Sequence, residues 1–308
     1  MSIRRTVAVV LALVILCMQM TACGDKEDDG IKIVTTGFAC CDWARQIAGE
    51  NAKVEFLQDN GVDIHSYQPT VEDMATIAEC DLFIWVGGES EAWVEDVLEQ
   101  TESDGRRELC LFDILEDELI CPEGDHHHDE GHNHQYDEHV WLSLGNAMLA
   151  CDAIAKELCL MDEENKATYT SNAEGYIAEL EALDGEYRNA VTEAKTKTLV
   201  IADRHPFAYM ARDYGLEVFA AFEGCSAENE ASFETVARLA GKLNELELDS
   251  VMTIDGNRTS IAEAVITASG RDDISILVLN SLQTVKDSSI RYIDVMRSDL
   301  EVLKEALG

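Results

Sequence analysis

Residues 31–57 begin with Ile31-Lys-Ile-Val-Thr-Thr36, continue with Cys41-Asp-Trp-Ala-Arg-Gln-Ile-Ala-Gly49 and end with Lys53-Val-Glu-Phe-Leu57. The first and last runs are short and apolar, which predicts strands, whereas the middle run has helical spacing and ends at a glycine. Parallel strands are joined by such a crossover helix. We therefore expect an α/β fold that begins at residue 31.

The same alternation continues along the chain. Further strands are predicted at residues 80–86, 108–112, 198–202, 217–221, 250–254 and 274–279, and helices at 71–79, 91–99, 144–160, 206–214, 232–246, 260–269 and 288–307. Such alternation indicates mostly parallel sheets flanked by helices. Between residues 162 and 195, apolar residues at helical spacing without proline predict one long helix. We expect this helix to join two α/β lobes.

A length of 308 residues suits two domains. The expected divisions are a signal peptide (1–22), a lipidated tether (23–30), an N-terminal lobe (31–161), a linking helix (162–195) and a C-terminal lobe (196–308). The signal peptide is predicted from two arginines, a short apolar run and then Thr21-Ala22-Cys23-Gly24. This last stretch resembles a bacterial lipobox, in which Cys23 would carry the lipid. An uncleaved anchor helix is the alternative.

The net charge is strongly negative, at −38 for the whole chain and −40 once Arg4 and Arg5 leave with the signal peptide. An acidic surface repels nucleic acid and attracts cations, so no nucleic-acid partner is expected. A surface adapted for solubility is an equally good interpretation.

The cysteines form no Cys-x-x-Cys pair, which leaves a zinc-finger interpretation without support. Apart from Cys17 in the signal peptide and Cys23 at the lipidation site, they are Cys40, Cys41, Cys80, Cys110, Cys121, Cys151, Cys159 and Cys225. Most are expected to be small buried hydrophobic residues, and their disulfide pairing stays open.

Six of the eight histidines fall within residues 125–141. Five lie in a polar segment, 125–134, that we expect to be a loose, auxiliary metal-binding loop: His126, His127, His128, His132 and His134. The sixth, His139, precedes the apolar run Val140-Trp-Leu142, which would anchor it against a folded body. Only an anchored imidazole can be held ready for a metal ion.

The two remaining histidines each follow a predicted strand. His65 lies in Gly61-Val-Asp-Ile-His-Ser-Tyr-Gln-Pro-Thr70, and His205 follows the run Leu199-Val-Ile-Ala-Asp-Arg204. Ligands of parallel sheets bind beyond the carboxyl ends of the strands. We therefore expect His65, His139 and His205 to meet in a cleft between the lobes.

These three segments resemble the metal-ligand motifs of zinc/manganese ABC-transporter substrate-binding proteins of the ZnuA/TroA type. The resemblance extends to Ala211-Arg-Asp-Tyr-Gly-Leu216 and covers nearly all of the mature chain. The sequence departs from the family pattern at Ile64 and Glu138, which replace proline, and at Ser143-Leu144, which replaces Asp-Pro.

The resemblance implies a fourth metal ligand at the end of the last strand, where Asn280 stands. Manganese-type members have aspartate there and tend to have glutamate in place of His205. Three imidazoles and an amide favour Zn²⁺ over Mn²⁺, which prefers hard oxygen ligands. Water or an acidic-loop carboxylate, from Glu223, Glu228 or Glu230, are alternative fourth donors.

The family implies a monomeric, lipid-anchored receptor on the outer face of the cytoplasmic membrane that delivers Zn²⁺ to a permease driven by an ATPase, without catalysing a reaction. A manganese receptor of the same family is the nearest alternative. A zinc hydrolase is a different class, but the chain lacks a His-Glu-x-x-His helix and spreads its histidines over two lobes. A surface metal buffer or adhesin is the third possibility.

Overall fold

A computed structural model describes residues 30–58, 61–101, 103, 105–121, 136–222, 224, 231–256, 259–285 and 289–308. Several predicted features lie outside these residues: the signal peptide, Cys23, nearly all of the tether, Cys225, loop 125–134 with its five histidines, and the glutamates of the acidic loop. Within the described part of the chain, no helix has the length and apolar character needed to cross a membrane.

The first sheet has four parallel strands in the order β2-β1-β3-β4. Its strands are β1 (Ile31–Thr35), β2 (Ala52–Phe56), β3 (Leu82–Trp85) and β4 (Arg107–Cys110). Its helices are α1 (Phe38–Ala48), α2 (Val71–Glu79), α3 (Trp93–Gln100) and α4 (Leu111–Ile114). The predicted strand 108–112 ends early because the chain turns into α4 directly after Cys110.

Two helices then lead to the second half of the chain: α5 (Leu144–Met161) and α6 (Lys166–Glu193). The 28 residues of α6 span about 42 Å at the usual helical rise. The helix starts four residues later than predicted, after a turn in which the Asp162 carboxylate accepts hydrogen bonds from the Asn165 backbone and side chain.

The second sheet repeats the first, with four parallel strands in the order β6-β5-β7-β8. Its strands are β5 (Thr198–Arg204), β6 (Glu217–Phe222), β7 (Ser250–Ile254) and β8 (Ser275–Leu279). Its helices are α7 (Ala208–Tyr214), α8 (Phe233–Glu245) and α9 (Ser260–Ser269), followed by the terminal helix α10 (Tyr292–Leu307). The predicted architecture of two parallel sheets flanked by helices is confirmed.

One continuous apolar core joins the two sheets. Alternate residues of each strand point to opposite faces of its sheet, so only one face of each sheet contributes to this core. Ile33 and Ile84 of the first sheet and Ile201 and Met252 of the second belong to the shared core. The neighbouring residues on these strands face outward into two smaller clusters, one for each sheet. Helix α6 packs against α1, α5 and α10, so it contacts elements from both halves of the chain.

The terminal helix is also tied to the N-terminal half by buried polar contacts. The Tyr292 hydroxyl donates a 2.7 Å hydrogen bond to the Trp141 carbonyl, and the Tyr292 backbone N–H donates to Asp42 at 2.9 Å. The Trp141 indole in turn donates to the Ser281 carbonyl at 3.0 Å. These bonds fix the turn that follows His139 against the C-terminal half.

We predict that Tyr292→Phe lowers the free energy of unfolding by about 1–3 kcal/mol, because the buried Trp141 carbonyl loses its tyrosine donor. Chemical denaturation provides the measurement. Tyr169→Phe is the matched control, since Tyr169 is equally buried but its hydroxyl donates to the half-buried Asp162, which water can reach. Equal losses in the two variants would contradict the role given to the Trp141 carbonyl.

Candidate metal centre

His65 lies on a short 3₁₀ turn, Ile64–Ser66, in the connection that follows β2. The Asp63 carboxylate caps the turn by accepting a 3.0 Å hydrogen bond from the His65 backbone N–H. Ile64 is buried and anchors the turn by packing into the shared core. An apolar residue thus fixes the turn where the family pattern has proline.

His139 is completely buried and directly precedes a second 3₁₀ turn, Val140–Leu142. All three residues of that turn are buried, as the apolar run in the sequence predicts. The Asp137 carboxylate accepts hydrogen bonds from both the backbone N–H and Nδ1 of His139, each at 2.9 Å. The imidazole orientation is therefore fixed by packing and by a carboxylate.

The structure brings His65 and His139 together, with their Nε2 atoms 3.2 Å apart. Nδ1 of His65 lies 2.5 Å from the Ser90 hydroxyl and 3.4 Å from the Glu138 carboxylate. The Asp137 carboxylate only accepts hydrogen bonds, so Nδ1 of His139 carries the proton and its Nε2 presents a lone pair. In His65 the Gln283 amide nitrogen, which only donates, lies 2.8 Å from Nε2, so this Nε2 also presents a lone pair and Nδ1 carries the proton. Two nitrogen donors of tetrahedral zinc lie about 3.3–3.4 Å apart, so this spacing fits a shared zinc ion.

The side-chain amide of Gln283 contacts both His65 and His139. Its Nε2 lies 2.8 Å from Nε2 of His65 and 2.7 Å from Nε2 of His139. The preceding residue, Leu282, is buried and has a φ of 60°, a conformation uncommon for a residue with a side chain. Rotation of the amide about its last bond would place Oε1 at the same point, so Gln283 can offer a neutral oxygen ligand.

Asn280 stands in the same loop, but no hydrogen bond between described residues joins it to His65 or His139. Its side-chain oxygen accepts a 2.8 Å hydrogen bond from the Leu282 backbone, and its own N–H donates to Asp299 at 2.9 Å. Within the described residues, the amide that contacts His65 and His139 therefore belongs to Gln283, three positions further along. Sequence reasoning missed Gln283 because it placed the donor at the strand end rather than in the loop.

His205 follows β5 beside the pair, but no hydrogen bond between described residues joins it to His65 or His139. Burial lowers the pKa of His205 to about 4, with Asp137 opposing the shift and His139 adding to it. The imidazole is therefore neutral at neutral pH, and its buried Nδ1 has no hydrogen-bond partner among the residues that the structure describes. A neutral ring with an unpartnered nitrogen is suited to metal coordination.

The described residues contain no fully assembled group of three or more His, Cys, Asp or Glu side chains at metal-binding spacing. The site therefore consists of an assembled part, formed by His65, His139 and Gln283, and the neighbouring His205. A cavity of about 330 Å³ borders Gln283 and is lined by Asp63, Arg204 and Asp255 among others. Arg204 and Asp63 form a 3.3 Å ion pair at this cavity, one from each half of the chain.

Two buried glutamates lie near the histidines. Burial alone would raise the pKa of the Glu138 carboxyl, but hydrogen bonds with His65 and Ser90 outweigh it and leave the pKa below its ordinary value. Glu91 accepts hydrogen bonds from the backbone of Val86 at 2.8 Å and Gly87 at 2.9 Å. Burial nevertheless raises the pKa of Glu91 to about 7.

The fold and the site define a class of protein: a two-sheet α/β protein with converging imidazoles between its halves. The chain belongs to the family described as "Zinc-uptake complex component A periplasmic", which it matches over residues 33–306. The resemblance inferred from the three sequence motifs is thereby confirmed.

Three relatives illustrate the family. The chain is 31% identical over 308 residues to zinc-binding lipoprotein AdcA of Streptococcus pneumoniae, a match that covers 96% of this chain and 60% of that protein. It is 28% identical over 311 residues to high-affinity zinc uptake system protein ZnuA of Bacillus subtilis, covering 98% and 96% of the two chains. The Zn(II)-bound ZnuA-like domain of S. pneumoniae AdcA superposes with a TM-score of 0.73 at 28% identity, covering 90% of this chain and 99% of that one.

The raised pKa of Glu91 predicts how stability changes with pH. The folded protein keeps a proton on Glu91 up to about pH 7, whereas the unfolded chain releases it near the ordinary value of 4.5. The contribution of Glu91 to the free energy of unfolding therefore falls as pH rises from 4.5 to 7, by at most about 1.4 kcal/mol per pH unit.

Glu91→Gln should remove this decline, as measured by denaturation at several pH values between 4.5 and 8. Glu99→Gln, at an exposed position on the following helix, is the control and should follow the wild-type profile. A Glu91→Gln profile parallel to wild type would contradict the prediction.

Proposed function

We propose that this protein is an extracytoplasmic zinc-binding receptor of an ABC transporter, which captures Zn²⁺ and delivers it to a membrane permease. The observation that carries the proposal is the pair of Nε2 atoms of His65 and His139, 3.2 Å apart. Each ring is held by a carboxylate at Nδ1, so both lone pairs are directed toward one point. This arrangement suits capture of a divalent ion that prefers nitrogen ligands.

The proposed ligands are His65, His139 and His205, with Gln283 rather than Asn280 at the fourth position. His205 supplies a neutral, half-buried imidazole whose Nδ1 has no hydrogen-bond partner within the described part of the chain. Three imidazoles and an amide form a neutral set with mostly nitrogen donors, which zinc accepts and manganese disfavours. This donor set supports Zn²⁺ as the cargo, with Mn²⁺ bound more weakly.

The names of relatives support the same function. The B. subtilis relative, which matches over nearly its full length, is named for zinc uptake, and the superposed streptococcal domain has Zn(II) bound. The chain spans about 60% of the streptococcal AdcA that it matches, so only the function of the matching part is proposed for it.

The remaining features concern location and partners. We propose that residues 1–22 direct export and that Cys23 carries a lipid anchor, which would hold a monomer at the outer face of the cytoplasmic membrane. A permease and an ATPase are the proposed partners. The five loop histidines would bind additional Zn²⁺ with lower affinity. The proposed role requires binding and release of the ion but no chemical reaction.

We predict that His65→Ala, His139→Ala and His205→Ala each weaken tight zinc binding severely, because a site that loses one of three imidazoles must recruit water instead. Competition titration of the purified mature protein with a zinc chelator measures the affinity. His132→Ala, in the predicted auxiliary loop, is the matched control and should keep the wild-type tight site. Any of the three variants that retained wild-type affinity would remove that histidine from the site.

We predict a strong preference of the wild type for Zn²⁺ over Mn²⁺, which Gln283→Glu narrows by adding a hard, anionic oxygen. Asn280→Asp should leave the preference unchanged, because its carboxylate can still accept the Leu282 hydrogen bond. Competition between the two ions on all three proteins measures the preference. Equal affinities in the wild type would refute the zinc assignment. If the preference for Zn²⁺ changed only in Asn280→Asp, the fourth ligand would be Asn280 instead of Gln283.

A further inference from the structure

The proposed zinc ligands are all neutral, which leaves a divalent ion in a buried site without a charged ligand. Burial of an uncompensated charge is unfavourable, so negative charge is expected close by. Two carboxylates from consecutive residues meet this need at different rings. Asp137 lies 2.9 Å from Nδ1 of His139, and Glu138 lies 3.4 Å from Nδ1 of His65.

We infer that Glu138 supplies, through the His65 imidazole, the negative charge that the neutral Gln283 does not provide to the bound ion. Glu138 is thus a positioning residue that acts on the metal through His65. This inference rests on the proposed function, because it assigns a role to Glu138 in zinc affinity.

The contacts of Glu138 place its charge at the ring. Its Oε1 accepts a 2.8 Å hydrogen bond from the Ser90 backbone, which leaves Oε2 facing His65. The Ser90 hydroxyl also contacts Nδ1, at 2.5 Å. Glu138 is only 8% exposed, so water screens its charge weakly. A carboxylate on the outer nitrogen of a ligating imidazole increases the basicity of that ligand.

The loop opposite Glu138 accommodates this side chain closely. Gly88 has a φ of 91°, and a Cβ at that position would lie 2.6 Å from Oε1 of Glu138. A residue with a side chain would therefore displace the carboxylate as well as strain the backbone. Glu138 is also one of the departures from the family pattern, since it stands where the motif has proline. At the proposed fourth ligand position, the same chain has the neutral amide of Gln283.

The test is a double-substitution cycle with wild type, Glu138→Gln, Gln283→Glu and the double variant. Zinc affinity is measured at pH 8 by competition with a chelator. Glutamine at 138 can still accept the Ser90 hydrogen bond through its amide oxygen, so the change removes charge with little change in shape. In the wild-type background, Glu138→Gln should weaken zinc binding about 10–100-fold. In the Gln283→Glu background, the same change should cost less than about threefold, because a ligating carboxylate already balances the ion.

Equal losses in the two backgrounds would overturn the inference, since they would show that Glu138 acts independently of the charge at position 283. No loss in the wild-type background would overturn it as well. Failure of the wild type itself to bind zinc would instead refute the proposed function, so the two failures are distinguishable.

Glu91→Gln is the matched control. Glu91 is a buried glutamate next to Ser90, and it accepts its hydrogen bonds from the backbone N–H groups of Val86 and Gly87 and not from His65 or His139. At pH 8 Glu91 is above its pKa of about 7, so this change also removes a charge. It should alter zinc affinity less than about threefold. If Glu91→Gln weakened zinc binding as much as Glu138→Gln, the effect would come from the loss of any nearby negative charge, and the inference would be overturned.

Glu138→Asp keeps the charge and should bind zinc more tightly than Glu138→Gln, which separates loss of charge from faulty folding.

Discussion

The proton on Nδ1 of each central imidazole is the constraint on which the site depends. Carboxylates at Nδ1 of His65 and His139 leave only the Nε2 lone pairs to face each other and the Gln283 amide. If either ring carried its proton on Nε2, the two rings could not share an ion. The fold therefore has to deliver acidic residues to the outer side of each ring, as well as histidines to the cleft.

The arrangement of the sheets explains how the residues meet. Both sheets are parallel with the same strand order, so their connecting loops collect at strand ends, and a shared apolar core sets the two sheets in fixed relation. Across this interface Tyr209 of α7 donates a 2.7 Å hydrogen bond to the Asp137 carbonyl. The backbone of Asp137, whose carboxylate orients His139, is thus held by a residue from the other half of the chain.

The sequence predicted the strands and the long helix well, because these depend on local periodicity. Its motifs also singled out His65 and His139, which the structure brings together, whereas the place of His205 in the site stays a prediction. The sequence did not point to Gln283, for a geometric reason. Asn280 bends back to bond the Leu282 backbone, and the positive φ of Leu282 then directs Gln283 to the histidines. Similarly, the sequence shows Glu138 only as a departure from a motif. Its role depends on the loop around Gly88 and Ser90, which is distant in sequence.

The bond between Tyr292 and Trp141 joins residues 151 positions apart. A ribosome makes the turn after His139 long before it makes Gln283 or Tyr292. During synthesis, an emerging chain thus carries His65 and His139 without the residues that hold them in register. Contacts of such long sequence separation form late and slowly. The arrangement of His65, His139 and Gln283 is therefore among the last properties the molecule acquires. Loss of only the terminal helix would leave all three residues present but would remove the Tyr292 bond that holds the turn after His139.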